Sequence, residues 1–108
     1  RVAMARKDFW RAKELFEKAN SMDPELYVSY NDLGIVLVNL NKPGDANAAF
    51  SVALAIYPDS AEANYNMAYS CMLIGKKNDA LSYSKRALEL APNNEVVKKL
   101  IQKIESNN

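Results

Sequence analysis

The side chains that usually carry out catalysis are scarce in this sequence. Its 108 residues contain no histidine and one cysteine, Cys71. Without an imidazole there is no His–Cys nucleophilic pair and none of the usual zinc ligand sets. A lone cysteine also excludes a disulfide within the chain. Because Cys71 falls at a packing position of a predicted helix, we expect it to behave as a small hydrophobic residue.

The sequence also lacks the residue patterns of a phosphate-binding loop and of a catalytic carboxylate pair. The glycines, Gly34, Gly44 and Gly75, are isolated from one another and form no glycine-rich phosphate loop. Acidic residues are dispersed singly along predicted helices, where they are solvated or form weak pairs such as Glu14 with Lys18. We therefore predict that this segment is not an enzyme and that it holds no cofactor or metal.

The charge balance bears on the kind of partner. The chain has 14 basic and 13 acidic side chains, a formal net charge of +1, which gives no broad attraction to nucleic acid or to an anionic membrane. No stretch approaches the roughly 20 apolar residues that cross a bilayer. We expect no nucleic-acid partner and no membrane insertion, with the cytoplasm as the default compartment. Because the sequence opens on Arg1, we expect a segment of a longer protein.

An internal repeat organises the chain. Pro24, Pro58 and Pro92 lie 34 residues apart. The same interval relates three further columns, which are Ala12, Ala46 and Ala80, then Ala19, Ala53 and Ala87, then Met22, Ile56 and Leu90. The alanine columns indicate places where a partner helix passes so close that only a methyl group fits. The prolines mark the end of each unit, because proline lacks an amide donor and disfavours helix in the residue before it.

Between these breaks the apolar residues recur every three to four positions, which is typical of amphipathic helices. We predict a helical stub at 1–6 and helices at 8–21, 26–40, 44–57, 61–74, 77–90 and 94–105. Asn41 and Gly75 occupy the same place in their units, and both tolerate the left-handed conformation that ends a helix. The expected caps at helix starts are Asp59, Ser60, Asn93 and Asn94.

The repeat resembles the tetratricopeptide repeat family, whose signature is W-x2-L-G-x2-Y, then A-x3-F, then P. Residues 27–60 contain Tyr30-x2-Leu33-Gly34-x2-Leu37, then Ala46-x3-Phe50, then Pro58. Residues 61–94 contain Asn64-x2-Met67-Ala68-x2-Cys71, then Ala80, then Pro92. Ser84 stands at the phenylalanine position of this second unit, and its neighbour Tyr83 is the candidate to fill that space.

The resemblance implies an all-α fold, a right-handed α-solenoid of antiparallel helix pairs. We expect one domain over 1–108, with a partial repeat at 1–26, full repeats at 27–60 and 61–94, and a C-terminal capping helix at 95–108. Lys98, Lys99 and Lys103 would give that last helix the hydrated face that a cap requires.

The resemblance also implies a binding surface, because in this family the first helix of each pair lines a concave groove. By position it assigns partner contacts to Asn31, Ile35, Asn39, Glu62, Tyr65, Asn66, Tyr69, Met72, Lys99 and Lys103. Tyr65 and Tyr69 lie one helical turn apart and offer apolar area with hydroxyl tips. Asparagine amides can bond to the backbone of a bound peptide. The alternative for Tyr65 and Asn66 is a structural role, because these residue types occur in the idealised repeat whatever it binds and could stabilise neighbouring helices instead of contacting a partner.

The expected function is a protein–protein interaction scaffold that binds a peptide or helix of a partner within a larger protein or complex. Two alternatives stay open. The segment could be a spacer or a self-association module that forms a homo-oligomer through its N-terminal end, where Trp10 is the candidate contact. It could also be an accessory domain of an enzyme outside this chain. Some members of the family bind the C-terminal carboxylate of a partner with lysine, asparagine and arginine side chains at set positions of successive repeats. Asn66 is the one residue of this chain that fits those positions, so a carboxylate clamp of this kind is not expected.

Overall fold

A computed structural model describes residues 23–106 of the chain. Five helices follow one another over this range. They are α1 (Pro24–Asn39), α2 (Pro43–Ile56), α3 (Ala61–Leu73), α4 (Lys77–Leu90) and α5 (Glu95–Ser106). The predicted helices from 44 onwards begin and end within one residue of these bounds. The predicted stub and the predicted helix at 8–21 lie outside the described residues.

The first described helix begins at Pro24 rather than at the predicted residue 26. The Asp23 carboxylate accepts hydrogen bonds from the amides of Glu25 and Leu26, at 3.1 and 3.2 Å. Proline suits the first helical position because that amide would have no partner in the helix anyway. Pro24 therefore opens a helix, whereas Pro58 precedes the later cap Ser60 and remains in a loop.

Two of the predicted caps act as expected. Ser60 Oγ accepts from the amide of Ala63 at 3.0 Å and begins α3. Asn94 Oδ1 accepts from the amides of Val96 and Val97, at 2.9 and 3.2 Å, and begins α5. Asp59 has a different role, since its carboxylate lies 2.7 Å from the Arg86 guanidinium of α4.

The turns within the two helix pairs share one geometry. Asn41 and Gly75 both adopt positive φ, 63° and 83°, as the spacing predicted. After each, the amide of the next residue, Lys42 or Lys76, donates to a carbonyl five positions earlier, at 2.8 and 2.9 Å. This pattern satisfies carbonyls that a helix end otherwise leaves without partners.

Replacement of Gly75 by alanine should therefore destabilise the fold by about 1–2 kcal/mol, because a Cβ disfavours the left-handed conformation. Gly75→Asn is the matched control, since the chain itself places asparagine at the equivalent turn residue, Asn41. It should cost less than the alanine variant. Urea unfolding followed by circular dichroism measures both. Equal losses would contradict the backbone explanation.

Helix packing follows the order of the chain. The closest pairs are α1 with α2 and α3 with α4, and α2 with α3 and α4 with α5 join successive pairs. The first helices also touch one another, α1 with α3 and α3 with α5. Ala46, Ala53, Ala80 and Ala87 are completely buried where the helices cross, as the alanine columns predicted. The predicted all-α solenoid is confirmed.

Phe50 and Gly34 make the tightest contact of the first described pair. The Phe50 ring is 1% exposed, and a Cβ at Gly34 would lie 2.5 and 2.6 Å from its Cδ1 and Cζ atoms and closer still to its Cε1. Glycine therefore allows α1 to lie directly over the ring. In the next pair the equivalent Ser84 is buried, and its hydroxyl donates to the Leu81 carbonyl of its own helix at 3.1 Å. Tyr83 beside it packs against the core.

Candidate functional site

The exposed side chains of α1, α3 and α5 form one surface, called the first-helix face below. It arises because the three helices contact one another in series and the 34-residue period repeats the same orientation. Across this face the period aligns Asn31 with Tyr65 and Lys99. One turn further along each helix it aligns Ile35, Tyr69 and Lys103.

The centre of this face is the tyrosine pair of α3. The rings of Tyr65 and Tyr69 are nearly parallel, with centroids 6.4 Å apart and an interplanar angle of 19°. Both side chains are half-buried and pack against the core. Burial raises the pKa of Tyr65 above its ordinary value, and Tyr69 raises it further. Tyr65 therefore stays a neutral hydroxyl around pH 7, able to donate and accept hydrogen bonds.

A cleft of about 190 Å³ opens beside the pair, between α1 and α3. Its lining consists of Ile35, Val38, Asn39, Phe50, Tyr65, Asn66 and Tyr69. No charged side chain lines it, and its two amide side chains stand beside an otherwise aromatic and aliphatic surface. Five predicted contact residues, at 35, 39, 65, 66 and 69, are thus brought together around one space. A mostly apolar lining with a few polar groups is typical of binding pockets, although the volume of about 190 Å³ is below their usual range of about 300–1,000 Å³.

Phe50 was identified from the sequence only as part of the repeat signature, and it lines this cleft. It belongs to α2, and its buried ring lies beneath the cleft because Gly34 of α1 leaves room for it. The feature of the sequence that could have indicated this contact is the occurrence of both Gly34 and Phe50 in the repeat signature. It becomes informative about the cleft only when the helices are packed.

Asn31 was expected to offer its side-chain amide to a bound peptide, but it is buried instead. It is 3% exposed, and its side-chain oxygen accepts a hydrogen bond from the Asn66 amide at 3.1 Å. The two asparagines therefore link α1 to α3. Buried amides are stabilised by such a partner, so Asn31 acts on the face by holding Asn66. Asn39 is exposed at the end of α1.

A second cleft, of about 380 Å³, lies between the start of α3 and the start of α5. Its lining residues are Ala61, Glu62, Tyr65, Asn94, Val96 and Val97. Tyr65 borders both clefts. The predicted contact Glu62 is exposed and lies here. Val96 was not predicted as a contact, although it is 57% exposed on the first-helix face.

The remaining predicted contacts lie further along the face. Met72 is half-buried near the end of α3 and lines a small depression with Gly75, Lys77 and Ile104. Lys99 and Lys103 are exposed on α5. They line none of the clefts described above. Trp10, the candidate for self-association, lies outside the described residues, so that assignment stays a prediction.

Cys71 of α3 is 2% exposed, and its side chain faces α2. Its sulfur contacts the Asn47 side chain, with the amide nitrogen at 3.7 Å. Burial raises the pKa of the thiol above its ordinary value, which lowers the fraction of reactive thiolate. The expected role as a small hydrophobic residue agrees with this position.

Within residues 23–106 no cluster of three or more acidic or cysteine side chains is arranged to hold a metal ion. In the same range no helix combines the length and the apolar character needed to span a bilayer.

Curated proteins similar to this chain include receptors and a transferase. The peroxisomal targeting signal receptor of Saccharomyces cerevisiae is 36% identical over 76 residues, which is 70% of this chain and 12% of the receptor. The receptor of the same name from Kluyveromyces lactis is 33% identical over 86 residues, 80% of this chain and 15% of its own length. The human protein O-mannosyl-transferase TMTC3 is 35% identical over 82 residues, 75% of this chain and 9% of the transferase. The chain thus spans a small part of each relative.

A family model described as tetratricopeptide repeat matches residues 37–104. The match runs from the last turn of α1 through most of α5, and it therefore includes the tyrosine pair, Phe50 and both lysines of the face. It confirms the resemblance drawn from the repeat signature. This chain belongs to the tetratricopeptide repeat family.

Proposed function

We propose that this chain binds an extended peptide or a helix of a partner protein on its first-helix face. The general class, a scaffold for protein–protein interaction without catalysis of its own, is supported by the family match. The observation that carries the proposed site is the Tyr65–Tyr69 pair beside the cleft between α1 and α3. Exposed aromatic area next to a concave, uncharged space is what a partner side chain needs for burial.

The apolar part of the site supplies most of the affinity. Ile35 and Val38 form one side of the cleft, α3 forms the other, and Phe50 contributes apolar carbon from α2. Full burial of one aliphatic side chain is worth about 1.5–3 kcal/mol. The cleft is preformed, because Phe50 is fixed by the core and Tyr65 and Tyr69 pack against it. Little ordering free energy is then lost on binding.

The polar part of the site orients the partner. Asn39 is exposed at one side of the cleft, and Asn66 is held at the other by its bond to Asn31. An amide side chain can both donate to a peptide carbonyl and accept from a peptide amide. Each such bond contributes about 0.5–1.5 kcal/mol net. These bonds therefore position a peptide whose affinity comes from apolar burial.

The similar proteins support recognition of a peptide segment. Two of them are named as receptors for a peroxisomal targeting signal. The transferase similarity covers 9% of that protein, so it does not favour an enzymatic role here. Which segment this chain binds, and in which cellular process, does not follow from either name.

The double variant Tyr65→Ala/Tyr69→Ala tests the site. It should lower the affinity for a partner by at least about tenfold, since truncation of aromatic residues central to an interface commonly costs 2 kcal/mol or more. Proteins captured from a native extract by the immobilised chain identify partners, and titration of the captured partner then gives the dissociation constants.

Tyr57→Ala is the matched control, because Tyr57 is 38% exposed at the end of α2 and packs on Tyr27 rather than on the tyrosine pair. It should leave the affinity unchanged. Circular dichroism should show the same helix content for all three proteins. Equal capture by the double variant and the wild type would rule out this surface as the binding site.

A further inference from the structure

The basic side chains of α5 divide into a paired and an unpaired set. Lys98 Nζ lies 3.4 Å from a Glu95 carboxylate oxygen on the same helix. Lys99 and Lys103 form no ion pair with any residue in the range 23–106, and both are exposed. Their spacing of four residues puts them one turn apart on the same side of α5. Two ammonium groups so placed repel each other slightly and favour an anion between them.

The repeat places these lysines on the first-helix face. Lys99 is the 34-residue equivalent of Tyr65, and Lys103 is the equivalent of Tyr69. Because α3 contacts α5, the two lysines lie beside the tyrosine pair, on the side away from the cleft with α1. A peptide that crosses the face from α1 to α5 therefore meets an uncharged cleft first and two cations last.

Two acidic groups of the face lie on the other helices, and the third, Glu95 of α5, is paired with Lys98. Asp32 is exposed on α1, and Glu62 is exposed in the first turn of α3. Both carboxylates act on Tyr27 near the start of α1, where their charge adds to burial in raising the pKa of that hydroxyl. The face thus has one carboxylate midway along α1 and one in the first turn of α3, whereas on α5 the Glu95 carboxylate pairs with Lys98 and no ion pair forms at Lys99 or Lys103 within residues 23–106. An acidic segment is repelled by Asp32 and Glu62 and attracted by Lys99 and Lys103.

We propose that the ligand is a peptide with an aliphatic side chain in the cleft between α1 and α3 and acidic side chains over Lys99 and Lys103. The inference rests on the proposed function of the first-helix face and adds the chemistry of its ligand. Neighbouring helices pack about 8–10 Å apart, so the cleft and α5 are separated by about 12–15 Å. An extended chain advances about 3.3 Å per residue. The first acidic residue therefore follows or precedes the aliphatic one by about three to five positions.

Selection of a random decapeptide display library on the immobilised 108-residue chain tests the inference. The expected result is enrichment of peptides with leucine, isoleucine, valine or methionine and with aspartate or glutamate three to five positions away. Synthetic versions of the enriched peptides are then titrated by fluorescence polarisation against the wild type and the variants.

The variant Lys99→Glu/Lys103→Glu should lower the affinity of these peptides at least about tenfold, because like charges then meet across the contact. Lys85→Glu is a single charge reversal on α4, outside the first-helix face, and as the control it should change affinity less than about twofold. Raising the salt concentration from 50 to 200 mM should weaken wild-type binding and have a smaller effect on the double variant. Thermal unfolding of each variant verifies the fold, since Lys103 lies in the last turn of α5.

The outcomes separate the two proposals. Enriched peptides that lose binding with Tyr65→Ala/Tyr69→Ala but bind Lys99→Glu/Lys103→Glu as well as the wild type would overturn the acidic ligand and leave the groove in place. Enriched peptides with basic residues at the stated spacing would do the same. Peptides insensitive to both double variants would overturn both proposals.

Discussion

Replacement of Phe50 by alanine should destabilise the chain by about 3–5 kcal/mol, the loss typical of a buried aromatic ring truncated to a methyl group. Phe50 is among the largest fully buried side chains of the described residues. Its ring lies directly against the Gly34 backbone, and Gly34 has no side chain to fill the space that the ring would leave. The helices cannot easily collapse around the cavity, because fully buried Ala46, Ala49 and Ala53 already hold them close.

Urea unfolding followed by circular dichroism measures this loss, and Ser84→Ala is the positional control. Ser84 is the 34-residue equivalent of Phe50 and is equally buried. Its hydroxyl bonds within its own helix, so removal should cost about 0.5–1.5 kcal/mol. If Phe50→Ala does not fold, Phe50→Leu gives a measurable intermediate loss. Similar losses at positions 50 and 84 would show that the phenylalanine contact is not what holds this pair together.

Much of this fold could be predicted because residues with the same structural role recur every 34 positions. The alanine columns located the helix crossings, and all four alanines of those columns in the described residues are buried. Asn41 and Gly75 located the left-handed turns. Pro24 was the exception, since proline can close one unit or open the next helix. Which of the two occurs depends on the cap, and Asp23 provides it directly before Pro24.

The candidate site was less predictable than the fold. Assigning contacts by their position in the repeat placed Tyr65 and Tyr69 on the binding surface. The same assignment treated Asn31, Asn39 and Asn66 alike, as exposed contact residues. Asn31 instead bonds to Asn66 across two helices, a contact set by the distance between α1 and α3 rather than by either helix alone. The contribution of Phe50 to the cleft depends in the same way on packing. A single repeat contains no information about such contacts between elements.

Gly34→Ala should lower the free energy of unfolding by about 1–3 kcal/mol, the usual cost of an added methyl in a packed core. A Cβ there would lie 2.5–2.6 Å from carbons of the Phe50 ring, so that ring or helix α1 has to shift. Gly44→Ala is the matched control, because nothing lies within 4 Å of a Cβ at that helical position. It should leave the free energy of unfolding unchanged or raise it slightly, since alanine favours helix over glycine.

The sign of the Gly34→Ala effect should reverse in a Phe50→Ala background. Without the ring there is no clash, and alanine then gains its advantage in helix propensity of up to about 1 kcal/mol. The methyl also fills part of the cavity that Phe50→Ala creates. A double-mutant cycle from four urea unfolding curves isolates this coupling from the separate effects of each substitution. Additive losses in the double variant would mean that the cost of the added methyl group does not come from contact with Phe50.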